Sequence, residues 1–149
     1  MRLQNRSTAR RDGGTLVEFA VVISLFLLLA FGIFEYSRMI MMRQLVENAA
    51  REGARFAVVH TYDSTTPDVE ARVRQRFAGL DGQLQNLTIQ VFRCDAATGA
   101  NLGPWTDAQF GQSICVRVTG NFNTVLPSFL FMRNPIPIEG RVIMNSEAN

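Results

Sequence analysis

The sequence predicts an α+β protein, in which a long N-terminal transmembrane helix extends into a small head with a short helix and an antiparallel sheet of three or more strands. Three observations lead to this class. A basic segment precedes a continuous apolar run near the N-terminus. A proline-free segment of helix-forming residues follows that run. The C-terminal half then alternates apolar and polar residues with the period of two that strands show.

Length and composition limit the possible functions. A chain of 149 residues suffices for one modest domain and a membrane anchor. The net charge of +2 comes from arginines near the N-terminus, lysine is absent, and the remainder is close to neutral. We therefore expect no nucleic-acid partner. The sequence contains no phosphate-binding glycine loop, GxSxG motif, zinc motif or EF-hand motif, so we predict a protein that is not an enzyme and uses no cofactor or metal.

Residues 1–13 are predicted to form a cytoplasmic basic leader, and residues 14–36 a transmembrane helix. The apolar run from Leu16 to Phe34 contains Glu18 as its only charge. At about 1.5 Å per helical residue it spans roughly the hydrocarbon core of a bilayer. Arginine before the run places the N-terminus in the cytoplasm. The leader arginines are Arg2, Arg6, Arg10 and Arg11.

Two other interpretations of the apolar run compete with a permanent anchor. A cleaved secretory signal could use the small residues around Ala30 and Gly32, but the run is longer than a signal-peptide core of about 7 to 15 residues. A buried core helix of a soluble protein would need more surrounding chain than is present. Both interpretations are less well supported than a permanent membrane anchor.

Glu18 is the most informative residue of the run. A carboxylate in a membrane helix is costly and usually has a partner, although a shallow position at the interface is the simpler explanation. A cut between Gly13 and Gly14 would make Glu18 the fifth residue of the mature chain and Phe19 the sixth. This spacing resembles that of a prepilin-peptidase substrate. In such subunits the glutamate neutralises a freed α-amine, because opposite charges attract strongly in low dielectric.

The chain resembles the TadE-like family of Tad (tight adherence) pilus pseudopilins in three blocks. They comprise residues 13–20, 32–38 and 49–57 in the order and spacing of the family. One departure is Ser24, where members often carry proline. The residues that carry the resemblance after Glu18 are Phe19, Gly32, Glu35, Tyr36, Arg38, Ala49, Ala50, Arg51, Glu52, Gly53, Ala54 and Arg55.

The resemblance implies a minor pseudopilin of a Tad-type, type IV-like pilus. It would be a structural subunit that acts in pilus assembly or priming after cleavage. Its implied location is the bacterial inner membrane, single-pass, with a periplasmic head and possible incorporation in the pilus. The implied partners are a prepilin peptidase, other pseudopilins and the major pilin, an inner-membrane assembly platform and the lipid bilayer. The alternative is a membrane-tethered periplasmic binding or enzymatic module with an uncleaved anchor.

Residues 37–60 are predicted to continue the helix outside the membrane. Small residues at i, i+4 spacing form a stripe that allows close approach. The stripe could contact a neighbouring subunit, but packing against this protein's own sheet is favoured. The charges at Arg51, Glu52 and Arg55 are interpreted as a solvated face with local ion pairs, and His60 lacks neighbours at metal-ligand spacing. The stripe is Leu45, Ala49, Gly53 and Ala57.

Residues 61–149 are predicted to form the head. Thr66 as N-cap and Pro67 at the first helical position predict a short amphipathic helix that stops near Gly79 or Gly82. Its arginine-bearing face could contact a partner or lipid, but such faces are more often only solvated. Strands are predicted over 87–92, 114–119 and 138–144.

Cys94 and Cys115 are predicted to form a disulfide, the alternative being two free thiols. Both fall on the same face of the predicted strands. Closure of a loop of about twenty residues would stabilise the head by roughly 3 kcal/mol. Between these cysteines Trp105 lies in a long loop, which either recognises a partner or folds back over the sheet. Residues 121–137 are irregular and apolar.

Overall fold

A computed structural model of the chain describes residues 12–125 and 134–147, and it confirms the predicted α+β class. The chain divides into two units, one ending at Ser37 and one beginning at Arg38. The helices are α1 (Asp12–Val59) and α2 (Thr66–Phe77). The strands are β1 (Leu84–Cys94), β2 (Asn101–Gly103), β3 (Ser113–Phe122) and β4 (Ile136–Asn145).

The described part of the first unit is the apolar half of α1. An 18-residue window there has a mean hydropathy of 2.7, and none of the window is buried. Side chains such as Leu16 and Phe19 are 69% and 65% exposed. A helix with this many exposed apolar side chains suggests a membrane anchor. The hydrocarbon core of a bilayer can surround such side chains, whereas their exposure to water is unfavourable. The Ser24 hydroxyl donates to the Ala20 carbonyl over 2.7 Å, and the segment remains helical.

The second unit is built on a four-stranded antiparallel sheet with the order β2-β1-β3-β4. The register places Ile89 opposite Val118, and Val118 opposite Gly140. Alternate residues on this face belong to the main core, whereas the opposite face is mostly polar. The period-two pattern therefore predicted which face of the two central strands is buried.

The C-terminal half of α1 packs on the core face of the sheet. Its buried residues share one cluster with α2 and the strands. Two glycines bring backbones close: a Cβ on Gly53 would overlap Val73 of α2, and one on Gly140 of β4 would lie 3.0 Å from the Val46 carbonyl oxygen of α1. The small-residue stripe thus packs within this chain, as favoured from the sequence. The buried α1 residues of this cluster are Met42, Val46, Ala49, Ala50, Ala54, Ala57 and Val58.

Helix α2 begins one residue earlier than predicted. Its N-cap is Thr65 and not Thr66, so Pro67 occupies the second helical position. The reason is Asp68, whose carboxylate accepts from the Thr65 backbone N–H at 2.8 Å and from the Thr65 hydroxyl at 2.6 Å. Hydrogen bonding to the charged form lowers the pKa of Asp68, with the Thr65 hydroxyl as the largest contributor. Ala78, at φ 51°, ends the helix in a left-handed conformation.

The loop between β1 and β3 is more ordered than the sequence suggested. It contains the short strand β2, which the sequence did not predict, and a single helical turn at Trp105–Asp107. Trp105 is only 2% exposed, and its indole N–H donates to the Thr66 hydroxyl at 3.0 Å. Of the two interpretations of this tryptophan, folding back onto the head is confirmed.

Of the irregular apolar segment predicted over 121–137, residues 126–133 lie outside the described residues. Phe122 at its start is fully buried in the core. At the other end of the head, the Thr61 hydroxyl lies 3.2 Å from the Ser146 hydroxyl, and the Glu147 N–H donates to the Val58 carbonyl. These contacts join the end of β4 to the end of α1.

Candidate functional site

The proposed cleavage point lies in the first turn of α1. Gly13 and Gly14 are exposed, and a Cβ on either would meet no atom within 4 Å. Glu18 is exposed one turn further on, and Phe19 beside it is 65% exposed. The leader arginines lie outside the described residues. Glycine therefore leaves the polypeptide accessible here, and the carboxylate stands near the positive end of the helix dipole.

The second block shows three different environments along one helical stretch. Gly32 is half-buried, Glu35 is only 2% exposed, and Tyr36 is 56% exposed. Arg38, at the start of the second unit, places its guanidinium carbon 5.2 Å from the centroid of the Phe122 ring. That distance is within the range of a cation–π interaction, so this arginine is held against the head.

The third block separates into an inward and an outward set. Ala49, Ala50, Gly53 and Ala54 are buried, which explains the small residues by packing. Arg51 and Arg55 are exposed and Glu52 is half-buried on the other side. The Arg51 guanidinium pairs with Glu47 at 3.0 Å, with side chains about half exposed, and such pairs contribute little to stability. Arg51 thus pairs within α1, on the side of the helix that faces away from the core.

A groove runs between the outward faces of α1 and α2, and we call it the Arg72 groove. The guanidinium carbon of Arg72 lies 5.6 Å from the centroid of the Phe56 ring. The Phe56 ring in turn stacks on the His60 ring, with the two centroids 4.3 Å apart. One part of the groove has a volume of about 360 Å³. The residues that line the groove include Glu52, Arg55, Phe56, His60, Arg72, Gln75 and Arg76.

His60 follows the last residue of α1, near where the sequence placed it, and its ring Nδ1 lies 3.1 Å from the Phe56 carbonyl oxygen. In the residues that the structure describes, no group of three or more His, Cys, Asp or Glu side chains is arranged to hold a metal ion. The groove presents arginine cations beside an aromatic ring.

The two cysteines share the outer face of the sheet, as their phase predicted. Cys115 lies opposite Phe92 in the register, so Cys94 is its diagonal neighbour and not its direct partner. Both are free thiols, and both are buried with Phe92 in a second small cluster, although the sequence pattern had assigned them to a polar face. Burial raises the pKa of Cys94 and raises that of Cys115 to about 11. The disulfide stays a prediction.

The turn after β1 follows directly on Cys94. Asp95 organises this turn, because its carboxylate accepts from the Thr98 N–H at 2.7 Å and from the Thr98 hydroxyl at 2.8 Å. These bonds lower the pKa of Asp95. Gly99 is buried at φ 70°, and an added Cβ would lie 2.7 Å from a guanidinium nitrogen of Arg141. The sequence carried no signal for this approach of the turn to Arg141 of β4, because it depends on contacts between separate segments.

Sequence reasoning did not identify the aromatic floor of the Arg72 groove. Phe56 and His60 are four residues apart, which places them on one helical face, and this spacing was the available signal. The arginines on the outer face of α2 were noted, but their position beside α1 could not be predicted from either helix alone.

The TadE-like protein family model matches residues 13–55 of the chain. The match includes the two glycines, Glu18, the second block and most of the third. No curated protein and no solved structure matches the chain. The chain therefore carries a TadE-like segment. The TadE-like family is structural and pilus-associated. This segment supports the interpretation that the chain is a Tad pilus-associated protein.

Proposed function

We propose that the chain is a minor pseudopilin of a Tad-type pilus, a structural subunit that acts in pilus assembly or priming after a prepilin peptidase cuts between Gly13 and Gly14. One observation carries this proposal. Glu18 stands at the fifth position after that cut, at the head of an exposed apolar helix within the TadE-like segment. A simple tether has no need of this arrangement.

The chemistry of the proposed assembly step is charge neutralisation. Cleavage leaves the α-amine of Gly14 as a cation at the positive end of a helix dipole, where a low-dielectric surrounding makes it costly. Gly14 and Glu18 differ by about 6 Å along the helix axis. A carboxylate of one subunit that pairs with the amine of a neighbour would therefore stagger the two helices by about one turn. The pairing lowers the cost of both charges and selects one axial register.

The proposed location is the bacterial inner membrane, with the N-terminus cytoplasmic and the head periplasmic. The basic leader supports this orientation, because arginine is enriched on the cytoplasmic side. The proposed partners are the prepilin peptidase, other pseudopilins, the major pilin, the inner-membrane assembly platform and the bilayer. The same proposal allows the protein to be incorporated in the pilus.

The first test is the N-terminal sequence of membrane-extracted protein from cells with and without the prepilin peptidase. We expect a start at Gly14 that depends on the peptidase. A start at Met1 in both strains would indicate a membrane-tethered binding or enzymatic module. A start at Ile33 would indicate a secreted soluble domain, and either result refutes the proposal.

The second test is Glu18→Leu. Leucine is favourable in a membrane helix, so we expect normal insertion and loss of pili. Val22→Leu is the matched control, because Val22 is an exposed apolar residue one turn further along the same helix. Immunoblots of membranes and electron microscopy of the cells measure the two effects separately. Normal piliation of the Glu18→Leu strain contradicts the charge-pairing mechanism.

A further inference from the structure

The Arg72 groove concentrates cations that the head itself does not neutralise. Within residues 12–125 and 134–147, Arg55, Arg72 and Arg76 have no carboxylate at ion-pair distance. Some arginines elsewhere in the head are paired: Arg74 lies 3.6 Å from Asp81, and Arg117 lies 3.2 Å from Glu139. The groove therefore keeps an excess of positive charge.

The acids nearest to the groove do not cancel this excess. Glu52 is the one carboxylate that lines the same part of the groove as Arg72 and Arg76. Asp68 also borders the groove, and its charged carboxylate is held at the start of α2 by hydrogen bonds from Thr65. Three guanidinium groups thus face two carboxylates, Glu52 and Asp68, which leaves one net positive charge in the groove.

The floor of the groove adds an apolar and aromatic surface to these cations. Phe56 is half-buried, stacked on His60 and approached by the Arg72 guanidinium. Gln75 accepts a hydrogen bond from Arg72 at 3.1 Å, which orients the guanidinium within the groove. Arginines beside an aromatic ring are typical of protein interfaces, and guanidinium groups bind carboxylates through two parallel hydrogen bonds.

We infer that the Arg72 groove is a docking site for an acidic segment of a partner protein, one that presents glutamate or aspartate side chains to Arg55, Arg72 and Arg76. A cleft between two helices accommodates a peptide chain better than the flat headgroup layer of a membrane. This inference does not depend on cleavage at Gly13 or on pilus formation, so the two proposals can fail separately.

The test uses the full chain in nanodiscs of phosphatidylcholine. The probe is a fluorescent peptide of glutamate and alanine, and its reference is the peptide with glutamine in place of glutamate. We expect the acidic peptide to bind by fluorescence anisotropy, and the affinity to fall as salt rises. Replacing all three groove arginines by glutamine (R55Q, R72Q, R76Q) should weaken binding about tenfold.

The matched control replaces three other arginines of the head by glutamine (R43Q, R51Q, R74Q), so that the net charge changes equally. We expect this control to alter affinity less than about twofold. Fluorescence of the buried Trp105 verifies that both variants are folded. Equal losses in both variants, or no binding of the acidic peptide, would overturn the inference. Tighter binding to phosphatidylserine vesicles than to the peptide, lost only in the groove variant, would also overturn it in favour of a lipid surface.

Discussion

Replacing Gly53 by alanine introduces a methyl group at the closest approach of α1 to its neighbours. The added Cβ would overlap Val73 Cγ2 of α2, and would lie 3.4 Å from Val116 Cγ1 and 3.6 Å from Val69 Cγ1. The three valines have little freedom to move away, because β-branched side chains are restricted about χ1 and these three are fully buried. The substitution therefore tests whether the small residues of the third block exist for packing.

Two opposing terms determine its magnitude. Alanine is favoured over glycine within a helix by about 1 kcal/mol. Overpacking of a well-filled core costs about 1 to 3 kcal/mol, and the rigid surroundings favour the upper end. The free energy of unfolding should therefore fall by about 2 kcal/mol. For a head of about 110 residues this corresponds to a decrease in Tm of about 8 °C.

The assay is thermal unfolding of the full chain in detergent micelles, followed by tryptophan fluorescence. Trp105 is the only tryptophan and is buried in the head, so the signal reports the head alone. Gly82→Ala is the matched control, because a Cβ there would meet no atom within 4 Å. We expect that control to change the free energy of unfolding by less than about 0.5 kcal/mol.

A double variant separates overpacking from other causes. Val73→Ala removes the methyl group that the new Cβ would strike, so Gly53→Ala should cost at least about 1 kcal/mol less in that background. If Gly53→Ala instead raised the Tm, helix propensity would dominate, and the packing explanation of the third block would be wrong.

Three further predictions concern the head. Exported protein should contain a Cys94–Cys115 disulfide that stabilises the head by roughly 3 kcal/mol, and non-reducing mass spectrometry that found both thiols free would contradict it. The Asp68 carboxylate has a lowered pKa in the folded state. Its contribution to the free energy of unfolding is therefore fully present above the ordinary pKa of about 3.9, and it is lost as the pH falls through the folded-state pKa. Unfolding curves of wild type and Asp68→Asn should therefore differ at neutral pH and converge in acid, and a constant difference would exclude the charged cap. Trp105→Phe should lower the free energy of unfolding by about 1 kcal/mol through loss of the bond to Thr66; the same loss in a Thr66→Val background would show that the bond contributes nothing.

Much of the fold followed from local pattern. The continuous helix to Val59 and the period-two strands needed only neighbours in sequence, since burial on one face imposes a repeat of 3.6 or 2 residues. The start of α2 was missed by one residue because Asp68 reaches back to Thr65 in place of a cap at Thr66. Strand β2 was missed because three residues carry no usable period.

Some features of the candidate site likewise followed from the sequence alone, and others depended on the tertiary structure. The spacing of Gly13, Gly14 and Glu18 is a property of consecutive residues, so the sequence by itself determined it, together with the apolar helix that follows. The burial of the cysteines and the assembly of the Arg72 groove were decided only by the tertiary structure. Each requires side chains from separate segments, and their contacts depend on how α1, α2 and the sheet pack rather than on any repeat within one of them.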